Sequence, residues 1–308
     1  MAQSFDMIVI GGGPGGYTAA LYAARAGLSV LVLEKLSAGG QMALTSQIDN
    51  YPGFPEGIDG FTLGEQMQAQ AERFGVTTEL AEVTDLELSG KLKKVESSEG
   101  TFYGKTVVIS TGASPRELGV PMERELVGRG VNYCAACDRM FYKGKTVVVV
   151  GGGNTAAADA MQLSRIAKKV ILVHRRDTLR ATKIYHEPLI NAPNVEFVWN
   201  SQVTELLHES KLTGVKVKDL LSGEERVIDC DGIFVSIGRK PASRLAEGQL
   251  ALDEGGYIRA GESTETSIPG VFAVGDVRTK VLRQVVTAVA DGAMAAHYAE
   301  SYLAEQFK

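Results

Sequence analysis

The chain shows the same succession of apolar and polar positions twice. In each copy a short apolar run, typical of a buried strand, meets a cluster of glycines, and an alanine-rich helical segment and a second apolar run follow. The first copy consists of Met7–Ile10, Gly11–Gly16, Tyr17–Ala26 and Ser29–Leu33. The glycines of the second copy begin 140 residues after Gly11, and this copy consists of Thr146–Val150, Gly151–Gly153, Thr155–Ile166 and Val170–Val173. The pattern therefore predicts two strand–helix–strand units in one α/β chain.

The glycines stand where a nucleotide-binding turn needs them. The first allows a tight turn out of the strand, the second lets the backbone approach a pyrophosphate, and a third small residue lets the helix pack close to the sheet. In order, these positions are Gly11, Gly13 and Gly16 in the first motif and Gly151, Gly153 and Ala156 in the second. The residues that open the two helices, where free amides favour an anion, are Pro14, Asn154 and Thr155. Two such motifs in the right context predict two Rossmann-like dinucleotide-binding domains.

The ends of the second strands distinguish the two nucleotides. Glu34 ends the strand of the first copy, and a carboxylate there accepts hydrogen bonds from ribose hydroxyls but repels a 2′-phosphate. At the same spacing in the second copy stand the basic residues His174, Arg175 and Arg176, with Arg180 further on. Arginines bind a 2′-phosphate through paired hydrogen bonds, although a basic turn after a strand is also a common solvated feature. The first site suits an adenine dinucleotide without that phosphate, and the second suits NADP.

A third nucleotide element is predicted near the C-terminus. Residues 266–276 read as a turn and a short strand that ends in an exposed pair, Gly275-Asp276, whose carboxylate can bind the hydroxyls of a ribityl chain. Residues 283–307 have helical composition. The start of that helix, near Gln284, would favour the negative charge that a flavin gains on reduction.

Cys134-Ala135-Ala136-Cys137 lies just ahead of the second glycine motif. A Cys-x-x-Cys pair can alternate between a dithiol and a disulfide, and both a dithiol and a nicotinamide carry two electrons. The alternative, half of a zinc site, needs two more ligands, and only Cys230 and scattered histidines remain, so no metal is expected. Cys230 is predicted to be a buried structural thiol in an apolar strand from Val227 to Ile237. The juxtaposition predicts transfer of reducing equivalents from a nucleotide to a disulfide.

Composition narrows the class of protein. The 308 residues suffice for two domains, and 44% hydrophobic with 22% charged residues is an ordinary globular balance. The net charge of −5 argues against nucleic acid as a partner. No apolar stretch approaches the roughly 20 residues needed to span a membrane, and the first residues carry no basic segment of a signal peptide. Three cysteines fit a reducing compartment, so the cytoplasm is expected.

All these motifs occur in one order with further short signatures, namely Gly39-Gly40-Gln41, Asp49-Asn50-Tyr51-Pro52-Gly53, Asp138 after the cysteine pair, and Arg283-Gln284 after the terminal Gly-Asp. In this order the chain closely resembles the low-molecular-weight NADPH-dependent thioredoxin reductases over essentially its whole length. The resemblance implies FAD in an outer domain, NADPH in an inner domain, thioredoxin as the partner and a homodimer.

The order of the motifs also sets the domain layout. The FAD elements lie at both ends of the chain and the NADP elements lie between them, so the NADP-binding domain is inserted into the FAD-binding domain. The predicted bounds are 1–113 with 244–308 for the FAD-binding domain and 114–243 for the NADP-binding domain. The chain should cross between them at Gly112–Pro121 and Ile237–Ser243, and the family implies a domain rotation there between half-reactions.

Roles within the motifs follow from the resemblance. Cys137 would face the flavin, Cys134 would attack the partner disulfide, and Asp138 would protonate the leaving thiolate. Gln41, Asn50 and Gln284 match family positions that line the flavin. The remaining positions carried over as FAD contacts are Gly40, Thr111, Gly112, Gly275, Asp276 and Arg283.

Three departures from the family pattern concern the partner and the donor site. Ala136 stands where many members have Thr, and Arg139-Met140-Phe141 stands where Gly-Phe-Phe is frequent. Ala157-Ala158-Asp159 replaces a usual Val-Glu-Glu. The first two lie where a partner would dock, so another small redox protein or a peroxidase carrier remains an alternative to thioredoxin. A flavin-binding scaffold or redox sensor without turnover is the alternative from another class of protein.

Overall fold

The fold is given by a computed structural model that describes residues 3–45 and 47–307. The chain divides into two compact units, a first unit of residues 1–114 with 240–308 and a second unit of residues 115–239. The bounds predicted above would assign residue 114 and residues 240–243 to the inserted domain, but they group with the first unit. Hydrogen bonds explain the difference, because Ala242 N donates to Gly112 O at 2.9 Å and Ser243 Oγ donates to Gly256 O at 2.6 Å.

The strands of the described residues are given in chain order. They are β1 (Gln3–Ile10), β2 (Val30–Glu34), β3 (Thr77–Leu80), β4 (Val83–Glu87), β5 (Lys93–Ser97), β6 (Gly100–Ile109), β7 (Ala113–Pro115), β8 (Val131–Asn132), β9 (Thr146–Val150), β10 (Lys169–Val173), β11 (Val195–Val198), β12 (Ser201–His208), β13 (Leu212–Asp219), β14 (Glu225–Asp229), β15 (Gly232–Val235), β16 (Arg239–Pro241) and β17 (Val271–Ala273).

The α-helices of the same residues are α1 (Pro14–Arg25), α2 (Gly60–Glu72), α3 (Ala135–Asp138), α4 (Asn154–Ser164), α5 (His186–Ile190) and α6 (Val285–Gln306). Short 3₁₀ turns occupy Gly40–Leu44, Arg139–Tyr142, Lys183–Tyr185, Arg244–Ala246 and Gly275–Val277.

The first unit is built on a mixed sheet in the order β3-β2-β1-β6-β5-β4, with β17 also paired with β6. The pairs among β3, β2, β1, β6 and β17 are parallel, whereas β4 and β5 are antiparallel additions. Alternate residues of β1 face opposite sides, so Met7 and Val9 pack with the alanines of α1 and α6, while Ile8 and Ile10 pack against the other layer. Burial on both faces explains why β1 and β2 read as continuous apolar runs.

The second unit has an all-parallel sheet in the order β11-β10-β9-β15-β8 and a three-stranded antiparallel sheet, β12-β13-β14. Val147 and Val149 of β9 pack with residues of α4, whereas Val148 and Val150 pack with residues of the antiparallel sheet. β9 and β15 are paired in parallel, so their carboxyl ends lie side by side at one edge of the sheet. This is the place in such a sheet where ligands bind.

Both predicted βαβ units are present, and only their bounds differ. The helix α1 begins at Pro14, three residues before the predicted start, because proline fits the first helical position, where no amide partner is needed. The helix α6 begins at Val285 because Gln284 has an extended backbone and serves as the N-cap. The α/β class predicted from the sequence is confirmed.

The apolar run Val227–Ile237 was predicted as one strand, and this was wrong. β14 ends at Asp229 and β15 begins at Gly232, in a different sheet. Asp231 causes the break, since its amide donates to Thr146 O at 2.8 Å and its carboxylate accepts from Thr146 N at 2.9 Å. Cys230 lies between the two strands and is buried, as expected of a structural thiol.

Candidate nucleotide and disulfide sites

The first glycine motif forms a turn with tight and open positions. A side chain at Gly11 would overlap the carbonyl of Ser110, and one at Gly16 would overlap the carbonyl of Gly11. Gly11 also has a φ of +101°, which favours glycine. At Gly13 no atom lies within 4 Å of the position of a Cβ atom. The turn thus leaves open space at the position predicted to approach a pyrophosphate, and Gly13 is the N-cap of α1.

Glu34 lies beside this turn at the end of β2. Its Oε2 accepts from Gly12 N at 2.6 Å, and its Oε1 accepts from Leu36 N at 3.0 Å. The carboxylate that was predicted to accept bonds from a ribose therefore also fixes the middle of the glycine turn. Gly12 packs against Tyr17, whose buried hydroxyl has no hydrogen-bond partner among the described residues. Burial raises the pKa of Tyr17 to about 12, so the phenol stays protonated.

Asn50 and Gln284 are 234 residues apart in sequence and are brought together. Asn50 Nδ2 donates to Gln284 Oε1 at 2.9 Å, just before the start of α6. Gln41 is exposed in the 3₁₀ turn Gly40–Leu44, and Gly39 N ties that turn to Gly12 O at 2.8 Å. The structure thereby places the loop signatures recognised in the sequence around the first glycine turn and the start of α6.

Gly275 and Asp276 differ from their predicted exposure. Gly275 is buried, with a φ of +69°, and Asp276 is half-buried in the 3₁₀ turn Gly275–Val277. The reason is the buried carboxylate of Asp291, because Gly275 N donates to Asp291 Oδ2 at 2.8 Å. A Cβ atom at Gly15 would lie 3.1 Å from Ala288 O, so α6 also approaches the first glycine turn closely.

The other positions assigned to FAD have protein contacts of their own. Thr111 Oγ1 donates to Ala242 O at 2.6 Å, and Gly112, with a φ of +71°, accepts from Ala242 N. The Arg283 guanidinium lies 4.1 Å from the centre of the Tyr257 ring. These contacts position the loops after β6 and before α6.

The glycine turn of the second unit has the same tight first position and open third position as the first turn, but its middle glycine contacts a histidine. A side chain at Gly151 would overlap Ser236 O, whereas Gly153 again faces open space. A side chain at Gly152 would overlap the imidazole of His174. Gly152 O accepts from Arg180 N at 2.7 Å and from Ala181 N at 3.0 Å. The turn is thus bonded to the segment after β10 that carries the arginines.

His174 and the three arginines take different places. Arg175, Arg176 and Arg180 are exposed, and none of them forms an ion pair with another residue of the described ranges. His174 is only 4% exposed and lies beneath Gly152, and its Nε2 has no hydrogen-bond partner among the residues described. Burial, with the nearby arginine charges, lowers the pKa of His174, so its ring is neutral at neutral pH. His174 supports the turn, and the arginines are the residues free to meet an anion.

The helix that follows the second turn holds the other predicted contacts. Asn154 is the first residue of α4, and its Oδ1 accepts from Thr182 N at 2.8 Å. Thr155 is exposed in the first turn of the helix, whereas Ala156 is fully buried against the sheet. These positions leave the start of the helix accessible and its third small residue packed, as the motif predicts.

Cys134 and Cys137 form a disulfide with a Cα–Cα distance of 5.3 Å. Cys134 is the N-cap residue of α3, and both Cys137 N and Asp138 N lie within hydrogen-bond distance of the Cys134 carbonyl, at 3.2 Å and 3.0 Å. Both cysteines are half-buried, so the pair is accessible without being fully exposed. The predicted redox pair is therefore assembled by one helical turn in the second unit.

Asp138 ends that turn with an altered acidity. Burial raises the pKa of its carboxyl group to about 6, well above the usual value for aspartate. A group with this pKa is present in both protonation states near neutrality, which suits proton exchange with a thiolate. Cys230 differs, because burial raises the pKa of its thiol to about 12 and keeps it protonated.

Comparison with known proteins identifies the family of the chain. Residues 5–292 match the family profile described as pyridine nucleotide-disulphide oxidoreductase. The chain is 46% identical over 307 residues to the thioredoxin reductase of Streptomyces clavuligerus, covering 99% of this chain and 95% of that protein. The chain belongs to the thioredoxin reductase family. The resemblance identified from the sequence motifs is confirmed.

Solved thioredoxin reductase structures agree with this assignment. The enzyme of Streptococcus pyogenes is 40% identical, with a TM-score of 0.91 and coverage of 99% of both chains. The enzyme of Giardia duodenalis is 35% identical, with a TM-score of 0.92 and coverage of 98% of this chain and 99% of that one. Two dinucleotide-binding domains are thus confirmed, and a flavin and a pyridine nucleotide are the cofactors of the family.

The described residues contain neither a membrane-spanning helix nor a cluster of metal ligands. Within residues 3–45 and 47–307, no helix is both long and apolar enough to cross a membrane. In the same ranges, no group of three or more His, Cys, Asp or Glu side chains is arranged to hold a metal ion.

The buried polar contacts of two carboxylates in this thioredoxin reductase were not predicted from the sequence. Asp159 Oδ2 accepts from Ser236 Oγ at 2.5 Å, so the one acidic residue of Ala157-Ala158-Asp159 is buried behind the second glycine turn. Asp291 forms a buried ion network described below. The available signal was a carboxylate in the alanine-rich first half of a predicted helix, 13 residues after Arg278 and 11 after Lys280.

Proposed function

We propose that this protein is an NADPH-dependent thioredoxin-disulfide reductase with FAD as its flavin. The observation that carries the proposal is the Cys134–Cys137 disulfide in the same unit as a glycine turn flanked by Arg175, Arg176 and Arg180. A dithiol catalyst and a donor site for a phosphorylated nicotinamide nucleotide occur together in the second unit. Electrons would pass from NADPH through FAD to this disulfide and then to the partner.

The choice of FAD rests on the first unit. Its glycine turn is open at Gly13, and Glu34 at the end of β2 disfavours a 2′-phosphate while its oxygens can accept bonds from ribose hydroxyls. Asp276 and the start of α6 offer a carboxylate for ribityl hydroxyls and a positive helix end. The unpartnered buried hydroxyl of Tyr17 adds a polar atom beside the turn. FAD, when bound, accepts two electrons from a nicotinamide and delivers them to a disulfide.

The choice of NADPH over NADH rests on the three exposed arginines. Each guanidinium is without an ion-pair partner in the described structure, and together they can bind a doubly charged 2′-phosphate with paired hydrogen bonds. His174 packs against Gly152 of the turn and directly precedes Arg175, so it fixes the position of the turn relative to the arginine segment. A site without such cations would have little means to distinguish the two nucleotides.

The thiol steps are assigned within α3. In the reduced protein, the Cys134 thiolate attacks one sulfur of the partner disulfide, a mixed disulfide forms, and the partner's other sulfur leaves as a thiolate. Cys137 then attacks Cys134, which restores the Cys134–Cys137 disulfide and releases the partner as a dithiol. Asp138, with its raised pKa, supplies a proton to a leaving thiolate. Two electrons and two protons thereby reach the partner.

Thioredoxin is the proposed partner, and two exposed apolar residues follow the redox pair. Met140 is 57% exposed and Phe141 is 51% exposed, and both lie in the 3₁₀ turn directly after α3. Exposed apolar side chains beside a reacting disulfide give a docking protein a surface to bury. We also propose a homodimer in the cytoplasm. The two half-reactions would alternate by rotation at the crossings near residues 114–115 and 239–240.

Anaerobic single turnover tests the proposal. NADPH should bleach the flavin absorbance of the purified protein, and oxidised thioredoxin should restore it. Cys134→Ser should bleach without recovery, whereas the matched control Cys230→Ser should behave as the parent protein. Bleaching by NADPH with no recovery in the parent protein would exclude thioredoxin as the substrate. Another small redox protein or a peroxidase carrier would then be the remaining candidate. No bleaching by NADPH would remove the proposed donor route.

A further inference from the structure

A buried ion triplet lies in the first unit, outside the motifs discussed so far. Asp291 in α6 is 6% exposed, and Arg278, which precedes the helix, is 5% exposed. Arg278 Nη2 lies 2.6 Å from Asp291 Oδ1, and its Nε lies 2.9 Å from Oδ2. Lys280 Nζ lies 2.7 Å from the same Oδ2, and its side chain is also buried. One carboxylate thus joins two cations in the interior.

The charges of the triplet do not cancel. Burial alone would raise the pKa of Asp291, but hydrogen bonds from Arg278 and Lys280 outweigh it and keep the pKa below its usual value. Asp291 is therefore ionised, and the triplet carries one net positive charge. Backbone carbonyls accept further hydrogen bonds, since Arg278 also donates to Ala260 O and Thr279 O, and Lys280 to Thr287 O. These additional hydrogen bonds lower the free-energy cost of burying the charges.

The triplet connects the elements that the proposed function assigns to FAD. Asp291 Oδ2 accepts from Gly275 N, which fixes the Gly275–Asp276 turn. The next residue, Gly292, packs so closely on α1 that a side chain there would overlap Gly15 O, in the first glycine motif. Lys280 bonds to Thr287 O in the first turn of α6. The net charge consequently lies among the glycine turn, the ribityl carboxylate and the start of α6.

We propose that Asp291, Arg278 and Lys280 set the reduction potential of the flavin that this unit binds. The proposal rests on the FAD site proposed above. NADPH gives the flavin two electrons and one proton and becomes NADP⁺, so the reduced ring carries one more negative charge than the oxidised ring. A fixed charge in a low-dielectric interior acts on that difference. Asp291 is a positioning residue, because it acts through its charge and through the Gly275–Asp276 turn.

Two single substitutions should move the potential in opposite directions. Asp291→Asn removes a negative charge and leaves both cations, so the reduced flavin becomes more stable and the potential rises. Lys280→Met removes a cation and leaves the Arg278–Asp291 pair, so the potential falls. We expect each change to shift the ratio of reduced to oxidised flavin about tenfold at a fixed applied potential, which is about 30 mV for a two-electron couple. The double variant should return close to the parent value.

Two features distinguish an effect of charge from damage to the fold. The potential shifts in opposite directions in the two single variants, and the two shifts cancel in the double variant. Loss of structure around the flavin would affect both single variants in the same sense and would add in the double variant. A matched control is Asp6→Asn, which removes the carboxylate of the Lys105–Asp6 pair, a 2.8 Å ion pair near the start of β1 in the same unit. The control should leave the potential unchanged.

The measurement is anaerobic equilibration of the FAD-loaded protein with a reference redox dye, which needs neither NADPH nor thioredoxin. Opposite shifts with compensation would support the proposal. Shifts of the same sign, or shifts no larger than that of Asp6→Asn, would overturn it. If Asp291→Asn does not fold, a fall in potential in Lys280→Met supports the proposal and an unchanged potential overturns it. Failure of the parent protein to bind FAD would instead remove the proposed function.

Discussion

Gly152 lies directly against the imidazole of His174, at a distance that leaves no room for a side chain at position 152. The ring is buried and neutral, and the carbonyl of the same glycine holds the backbone of the arginine segment. The two parts of the proposed NADPH site, the pyrophosphate turn and the 2′-phosphate cluster, are therefore positioned by one residue pair.

Gly152→Ala should displace this turn and weaken NADPH binding. Overpacking of a tight contact costs about 1–3 kcal/mol, so we expect KM for NADPH to rise about tenfold or more with flavin content unchanged. Steady-state kinetics at saturating thioredoxin measure the effect. The control is Gly261→Ala, since nothing lies within 4 Å of a Cβ atom there. Equal KM values in both variants would contradict the close contact.

Arg175→Ala or Arg180→Ala should reduce the preference for NADPH over NADH. Each removes charge-assisted hydrogen bonds worth about 1.5–3 kcal/mol, so the ratio of kcat/KM for NADPH to that for NADH should fall about 10- to 100-fold. The loss should appear with NADPH and leave NADH nearly unaffected. Arg165→Ala, at the exposed end of α4, is the control. A parallel loss with both nucleotides would indicate a structural role instead.

Asp138→Asn should have opposite effects on catalysis and stability. The parent carboxyl has its pKa raised to about 6, so the acid form is lost as pH rises through 6, and the rate of thiol transfer should fall over that range. The variant should be slow and lack this pH dependence. Stopped-flow reoxidation of the reduced protein by thioredoxin, from pH 5 to pH 8, measures both.

The direction of the stability change caused by Asp138→Asn also follows from the raised pKa. Because the folded pKa of Asp138 lies above its unfolded value, the stability contributed by proton binding is present below about pH 4 and is lost as pH rises through about 6. Asp138→Asn should therefore melt at a higher temperature than the parent at pH 7.5, by roughly 2–4 °C for each kcal/mol, and at a similar temperature at pH 4. A lower melting temperature at pH 7.5 would contradict the burial of the charge.

Substitution of Met140 and Phe141 by Ala should weaken the binding of thioredoxin without affecting the reaction with NADPH. Loss of two apolar contacts of about 1–2 kcal/mol in total raises KM for thioredoxin about tenfold, while reduction of the flavin by NADPH keeps its rate. Leu221→Ala is the control, because this residue is even more exposed in the same unit. An unchanged KM for thioredoxin would remove these two residues from the docking surface.

Features encoded in local patterns were predictable from the sequence. The two βαβ units depend on short-range periodicity and on glycines at fixed offsets, so their elements agree with the structure to within a few residues. The Cys134–Cys137 disulfide was predictable from the spacing together with the shortage of further zinc ligands, and one helical turn brings the two side chains together.

Features that depend on distant contacts were not predictable. The apolar run from Val227 gave no sign that Asp231 would bond to Thr146 and divide it between two sheets. His174 directly precedes Arg175 and Arg176 in the sequence, but its position at the end of β10 and the absence of a side chain at Gly152 place it beneath the turn. Asp291 faces Arg278 only because α6 packs back on the segment that precedes it.

The pairing of β17 with β6 has a consequence for the order in which the chain can fold during its synthesis. Val271 pairs with Val107, and Asn50 bonds to Gln284, so the sheet and the proposed flavin site of the first unit need residues from the last part of the chain. The second unit, residues 115–239, is continuous and emerges from the ribosome before those residues are made. The redox-active disulfide therefore belongs to the part that can complete its core first, and the flavin-binding unit is the last to close.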